Sequence, residues 1–152
     1  MQPNFQTSLQ RAERVLFLCS GNMIRSAFSE LYARHLGVAW PVESAATTYR
    51  NDRIHGIAAR ALRARGVSES WISAFRPRHV DQLGSVSQDT LVLGMTREHL
   101  DDWSGLGPPA WLLSEVAGRQ VEIEDPMFTG RSEVLDDVAD YVERLCAHEV
   151  DR

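Results

Sequence analysis

The sequence predicts an α/β fold in which a parallel sheet is covered by helices on both faces. Three observations carry that expectation. Short apolar runs of strand length recur along the chain, apolar residues at helical spacing lie between them, and glycine or proline closes the segments. A chain of 152 residues with 43% hydrophobic content has room for one core and one active site. The layout expected is a single domain over 13–148, a flexible N-terminal extension at 1–12 and a short tail at 149–152.

Taken in order, RVLFLC (14–19) is an apolar run bounded by charge on one side and by Gly21 and Asn22 on the other, which reads as a buried parallel strand. Phe28, Leu31, Tyr32 and Leu36 then recur at helical spacing until Gly37 supplies a stop. PVESA (41–45) is a second strand, and residues 54–66 form a second helix closed by Gly66. TLVLGM (90–95) is a third strand, followed by a short helix over REHLDDW. AWLLS (110–114), set off by Gly107, Pro108 and Pro109, is a fourth. A final helix over about 132–147 carries Val134, Leu135, Val138, Tyr141, Val142 and Leu145 on one face. Alternation of strands and helices implies right-handed crossovers.

Composition narrows the function. The formal net charge is -5, so nothing draws the chain to nucleic acid or to an anionic membrane, and an anion site has to be built locally. All sixteen basic residues are Arg, which reads as a genomic preference. No run approaches the ~18 apolar residues of a membrane span, and the N-terminus has no apolar signal core, so a cytoplasmic protein is expected. Two distant cysteines, Cys19 and Cys146, fit a reducing compartment. His55, His79 and His99 show no metal-ligand spacing and read as surface or capping residues; Trp40, Trp71, Trp103 and Trp111 read as packing groups.

The first strand ends at Cys19, and the segment that follows, Ser20, Gly21, Asn22, Met23, Ile24, Arg25 and Ser26, leads straight into a helix. In open α/β sheets ligands bind beyond the carboxyl ends of strands, where a helix N-terminus offers free N–H groups to an anion. Cys-x5-Arg-Ser lets the intervening backbone curl into a nest, with Gly21 free to adopt positive φ and Asn22 among the few other residues that tolerate it. Arg25 adds a planar fork that matches two phosphate oxygens. The same nest favours the thiolate form of a cysteine at its centre, and Ser26 is placed to donate to that sulfur. Alone, Cys19 would read as a small buried hydrophobe at a strand end; beside Gly, Asn, Arg and Ser at these spacings it reads as a nucleophile. Ester cleavage also needs a proton donor, and Asp125 in VEIEDPMFTG, stiffened by Pro126 and followed by Met127 and Phe128, is the candidate.

With those residues in view, LFLCSGNMIRSAFSE resembles the catalytic loop of the low-molecular-weight protein tyrosine phosphatases, and IEDPMF resembles their late Asp-Pro loop. In tyrosine phosphatases of the other type the acid loop precedes the cysteine loop and His stands before Cys; here Leu18 precedes Cys19 and the acid follows. The resemblance runs from Val15 to the final helix. It implies a four-stranded parallel sheet, no cofactor or metal, and hydrolysis of phosphotyrosine through a phosphocysteine intermediate. Cys19 would be nucleophile, Arg25 the phosphate clamp, Ser26 the thiolate partner, Asn22 the loop scaffold and Asp125 acid and base. Tyr49, Met127 and Phe128 would wall the substrate pocket. The implied partners are a phosphotyrosine protein and its tyrosine kinase, with phosphate or vanadate as inhibitors.

Departures bear on specificity. Many members carry a second cysteine where Ile24 stands, paired aromatics where Met127 and Phe128 stand, and Asp where Thr96 stands. Without the second loop cysteine, oxidised Cys19 is expected to recover less readily with thiols. Three alternatives share or border the scaffold. Arsenate reductases need a relay pair of cysteines that this chain lacks, and protein arginine phosphatases carry Thr where Met23 stands. A non-catalytic phosphate binder or phosphocysteine carrier has no need of Cys19, Arg25 and Asp125 together.

Overall fold

The computed structural model describes residues 4–150. Four strands, β1 (Arg14–Cys19), β2 (Val42–Ala46), β3 (Thr90–Gly94) and β4 (Ala110–Leu112), form one sheet in the order β2-β1-β3-β4, and every pair is parallel. The first strand is therefore central, hydrogen-bonded on both edges. Its register sets Cys19 opposite Ala46 and Leu18 opposite Gly94, so the nucleophile candidate stands at the sheet's carboxyl edge between two strand ends.

The apolar runs alternate between two cores. Val15, Phe17 and Cys19 face the larger one, built with α2 (Arg25–His35), α3 (Gly56–Ala64), α4 (Glu69–Ala74) and α7 (Val134–Val150). Leu16 and Leu18 face a smaller one closed by Trp103 of α5 (Arg97–Trp103). A strand buried on both faces must be apolar at every position, which is why these runs do not alternate with polar residues. Gly37 and Gly66, both in the left-handed region, follow α2 and α3 as expected. The predicted fourth strand is shorter than expected, turning after Leu112 into a 3-10 helix over Leu113–Ala117. Among the described residues no helix is long and apolar enough to cross a membrane.

The expected flexible extension is corrected over residues 4–12, residues 1–3 lying outside the described residues. Residues Phe5–Arg11 form α1, capped by Asn4, whose side chain accepts from Thr7 N at 2.9 Å. Phe5 and Leu9, one turn apart, are buried in the larger core, with Phe5 packed edge-on against Trp111 at 6.2 Å between ring centroids. Ala12 O accepts from Trp40 Nε1 at 3.1 Å. At the other end Glu149 belongs to α7 and its carboxylate accepts from Ala39 N and Trp40 N, both at 2.7 Å; the rest of the expected tail, 151–152, lies outside the described residues.

Candidate active site

Between β1 and α2 the chain makes a loop, and one neighbouring segment claims several of the carbonyls in and just before it. Cys19 O accepts from Thr47 N (2.9 Å), Ser20 O from Thr48 N (3.1 Å) and Tyr49 N (2.9 Å), Gly21 O from Asn51 Nδ2 (2.9 Å), and Met23 O from His55 N (2.9 Å). A trans peptide sets N–H opposite C=O, so the amides of Ser20, Gly21, Asn22 and Ile24 point away from the 47–55 segment. Such an arrangement suits the nest that the spacing led us to expect, held from outside.

The left-handed residue in the loop is Asn22, at φ 54°, and not Gly21. Gly21 is needed for a different reason: a Cβ there would stand 2.8 Å from Asn51 Nδ2, the group that holds the Gly21 carbonyl. Asn22 lies fully buried beneath the loop. Its Oδ1 accepts from Arg78 N, and its Nδ2 donates to Ser26 Oγ and Ser44 Oγ, all at 2.8 Å. Ser44 passes its proton contact to Glu30 Oε1 at 2.7 Å, and Glu30 Oε2 meets Arg34 at 2.7 Å. Burial pushes the Glu30 carboxyl above its usual range, while the Ser44 hydroxyl and Arg34 pull the other way.

Cys19 Sγ lies 2.9 Å from Ser26 Oγ and 3.5 Å from Ser26 N, in the first turn of α2. Since Asn22 already donates to Ser26 Oγ, the Ser26 hydroxyl proton is left for the sulfur. Arg25 is 3% exposed; its Nη1 donates to Ile123 O at 2.8 Å and its Nη2 stands 3.4 Å from Asp125 Oδ2. The acid loop is itself tied to the sheet, with Ile123 N donating to Met95 O at 2.9 Å. Asp125 caps the short helix α6 (Pro126–Thr129), its Oδ1 accepting from Met127 N at 3.0 Å.

These parts line a shallow recess with a cavity volume of about 20 Å³, bordered by Cys19, Ser20, Gly21, Met23, Ile24, Arg25, Tyr49, Asp125 and Met127. A wider groove lies along α7, lined by Arg119, Asp137, Asp140, Tyr141 and Arg144, but it is open and brings no nucleophile to an acid. Tyr49 and Met127 stand as expected on the wall of the recess. Phe128 does not: it is 73% exposed and outside the lining, because α6 turns it to solvent one residue after Met127.

His55, His79 and His99 all act as caps, as the sequence allowed, but His99 is not at the surface: it is buried to 1% exposure. Its Nδ1 accepts from Met95 N (3.2 Å) and Thr96 N (3.1 Å), and its Nε2 lies 3.0 Å from Ser20 Oγ in the nucleophile loop. Burial, with the Arg25 charge adding, pushes the imidazole down to about 4. Ser44, Glu30 and Asn51 were missed as well. Cys146 is half-buried beside the larger core, and burial, with Glu149 and Glu143 nearby, pushes its thiol up to about 11. Among the described residues no group of three His, Cys, Asp or Glu side chains could hold a metal ion.

Residues 14–151 match the family model described as low molecular weight phosphotyrosine protein phosphatase. No curated protein matches the chain in sequence. Among solved structures, YfkJ from Bacillus subtilis superposes with a TM-score of 0.74 at 21% identity, covering 90% of this chain and 93% of that one. A low molecular weight protein tyrosine phosphatase from T. tengcongensis gives 0.70 at 23% identity, over 88% and 97%. The YwlE arginine phosphatase from Geobacillus stearothermophilus gives 0.68 at 24%, over 91% of each. At such identities the likeness is one of fold, and tyrosine and arginine phosphatases share it.

Proposed function

The chain belongs to the low molecular weight phosphotyrosine protein phosphatase family, and from that premise we propose that it hydrolyses phosphotyrosine and related aryl phosphates, with Cys19 as nucleophile. The observation that carries this reading is the meeting of Cys19, the Ser26 hydroxyl, Arg25 and Asp125 around one small recess. In the first step the Cys19 thiolate attacks phosphorus in line, the S–P bond forms, and the bond to the ester oxygen breaks while the Asp125 carboxyl protonates that oxygen. Arg25 and the amides of the loop hold the phosphoryl oxygens as charge shifts between them. In the second step Asp125, now ionised, takes a proton from water; the water oxygen bonds to phosphorus, the S–P bond breaks, and Ser26 donates to the sulfur that leaves. Inorganic phosphate is the product, and phosphate or vanadate would occupy the same recess as inhibitor.

Tyr49, Met127 and Met23 supply an apolar slot for a flat ring, which favours an aryl ester over a charged guanidinium. A phosphotyrosine protein is the substrate proposed, supplied by a tyrosine kinase. A reducing cytoplasm is the compartment that suits a free Cys19 thiol. The test is hydrolysis of phosphotyrosine, phosphoserine and phosphoarginine peptides side by side, with Cys19→Ser as control. Turnover of the tyrosine peptide alone, abolished in Cys19→Ser, is expected. Equal turnover of all three would overturn the substrate, and wild-type activity in Cys19→Ser would overturn the chemistry.

A further inference from the structure

Resting on that phosphatase reading, we propose that His99 is a positioning residue: it fixes the Ser20 side chain so that the Ser20 hydroxyl donates to an oxygen of the phosphate bound in the recess. Both imidazole nitrogens are committed. The backbone amides of Met95 and Thr96 donate to Nδ1, so in a neutral ring the proton sits on Nε2, and Nε2–H can only donate to Ser20 Oγ at 3.0 Å. Once Ser20 Oγ accepts from the ring, its own proton must point elsewhere.

Ser20 lines the recess beside Cys19 and Arg25, whereas His99 stands behind it. The Ser20 backbone is held too, its carbonyl accepting from Thr48 N and Tyr49 N, so only the side-chain torsion remains to be set. The ring's seat is built for it. It caps the start of α5 at the end of β3, and a Cβ on Gly94 would stand 3.1 Å from the His99 Cβ and 2.7 Å from a Leu100 methyl. Burial keeps the ring neutral well below pH 6, so the tautomer and the direction of the Ser20 donor persist across the range in which such an enzyme would work.

Two isosteric replacements separate the ring's two roles. Asn at 99 can offer an oxygen near Nδ1 to the backbone amides but has no donor at Nε2; Gln can reach Ser20 with an N–H but gives up the cap. The readouts are kcat/KM for p-nitrophenyl phosphate and affinity for inorganic phosphate by calorimetry, in Ser20→Ala, His99→Asn, His99→Gln and the Ser20→Ala/His99→Asn pair. A single hydrogen bond to an anion leads us to expect Ser20→Ala and His99→Asn each to lower both quantities by about 10- to 100-fold. The double variant should fall within about twofold of Ser20→Ala, because removing the serine leaves the ring nothing to position. His99→Gln should stay more active than His99→Asn while melting lower.

An equal loss from His99→Asn with or without Ser20 would overturn the proposal, since a purely structural histidine behaves that way. So would wild-type phosphate affinity in Ser20→Ala, which decides the matter even if the His99 variants fail to fold. Phosphate affinity needs no turnover. A wild type that binds phosphate in a Ser20-dependent way but hydrolyses no ester would sink the phosphatase reading and leave the pair standing.

Discussion

Between Cys19 and Ser26 the side chains of Asn22, Arg25 and Ser26 are buried and tied to named partners, whereas between Asp125 and Gly130 only Pro126 is buried and Met127 and Phe128 reach solvent. The nucleophile loop is over-determined: four of its carbonyls, Asn22 and Ser20 are each held by groups from other elements, and Asn22 in turn holds Ser26. The acid loop is held by the bonds of Ile123 to Met95, just past β3, and to Arg25, by exposed contacts of Glu122 with Arg97 N and of Glu124 with Arg131, and by its own cap at Asp125. Donors meant for developing charge work best when fixed beforehand. An acid that must reach leaving groups of different shape, and then turn to water, gains from a segment that opens at little cost. On the proposed function, rigidity belongs to the phosphate end of the recess and adaptability to the leaving-group end.

Asp125→Asn breaks the comparison at its adaptable end. Loss of the proton donor should lower kcat by about 10²- to 10⁴-fold, less for p-nitrophenol than for phenol as leaving group. Because Asn can still cap α6 and Arg25 keeps its bond to Ile123 O, the melting temperature should move little. A large fall in melting temperature would show that the acid loop is as deeply built into the fold as the nucleophile loop.

Asn22→Ala makes the opposite test. It removes three hydrogen bonds, two of them buried, strands the Arg78 N–H, and puts a Cβ-bearing residue without a side-chain partner at positive φ. The expected cost is about 2–4 kcal/mol, lowering the melting temperature by about 4–16 °C, together with a fall in kcat/KM and in phosphate affinity. Thermal unfolding and p-nitrophenyl phosphate kinetics check both halves. Stability unchanged with activity lost would mean that the loop is organised by the 47–55 segment alone.

The same contrast explains what could be read before the structure was seen. The convergence of Cys19, Arg25 and Asp125 on one recess was anticipated because the proposed chemistry restricts residue type and spacing there, and the four strands were legible because burial on both faces demands unbroken apolar runs. Helix α1 was not, since Phe5 and Leu9 are two apolar positions in a polar segment, and it takes distant elements, β3 and the Trp111 of β4 among them, to make them core. Ser44, Asn51 and His99 were not, because each meets the loop across 22 to 79 positions of sequence, and long-range hydrogen bonds leave no local period. His99 left half a signal: three residues after Thr96 it sits where a capping side chain reaches back, which gave the cap and hid the second nitrogen. Phe128 was misread because the spacing of a four-residue helix, unlike the Asp-Pro that starts it, does not say which side chain faces inward.

Acid sharpens the comparison without any change at the recess. His99 is neutral in the fold and titrates at about 4, against 6.5 when unfolded, so below 6.5 the unfolded chain binds the extra proton more readily. Stability drawn from the neutral ring is therefore complete above pH 6.5 and is lost as pH falls toward 4, amounting to about 2 kcal/mol near pH 5. Glu30, raised above its ordinary 4.5 by burial, runs the other way: its contribution is complete below 4.5 and fades as pH climbs through the raised value. Urea unfolding between pH 4.5 and 7.5 should show stability rising with pH in the wild type. In His99→Asn the rise should shrink, leaving Glu30 to tilt the curve toward a gain in acid. If the two proteins keep the same slope, the ring is not the group that makes the nucleophile side of the recess sensitive to protons, and the rigid end is held by its backbone bonds alone.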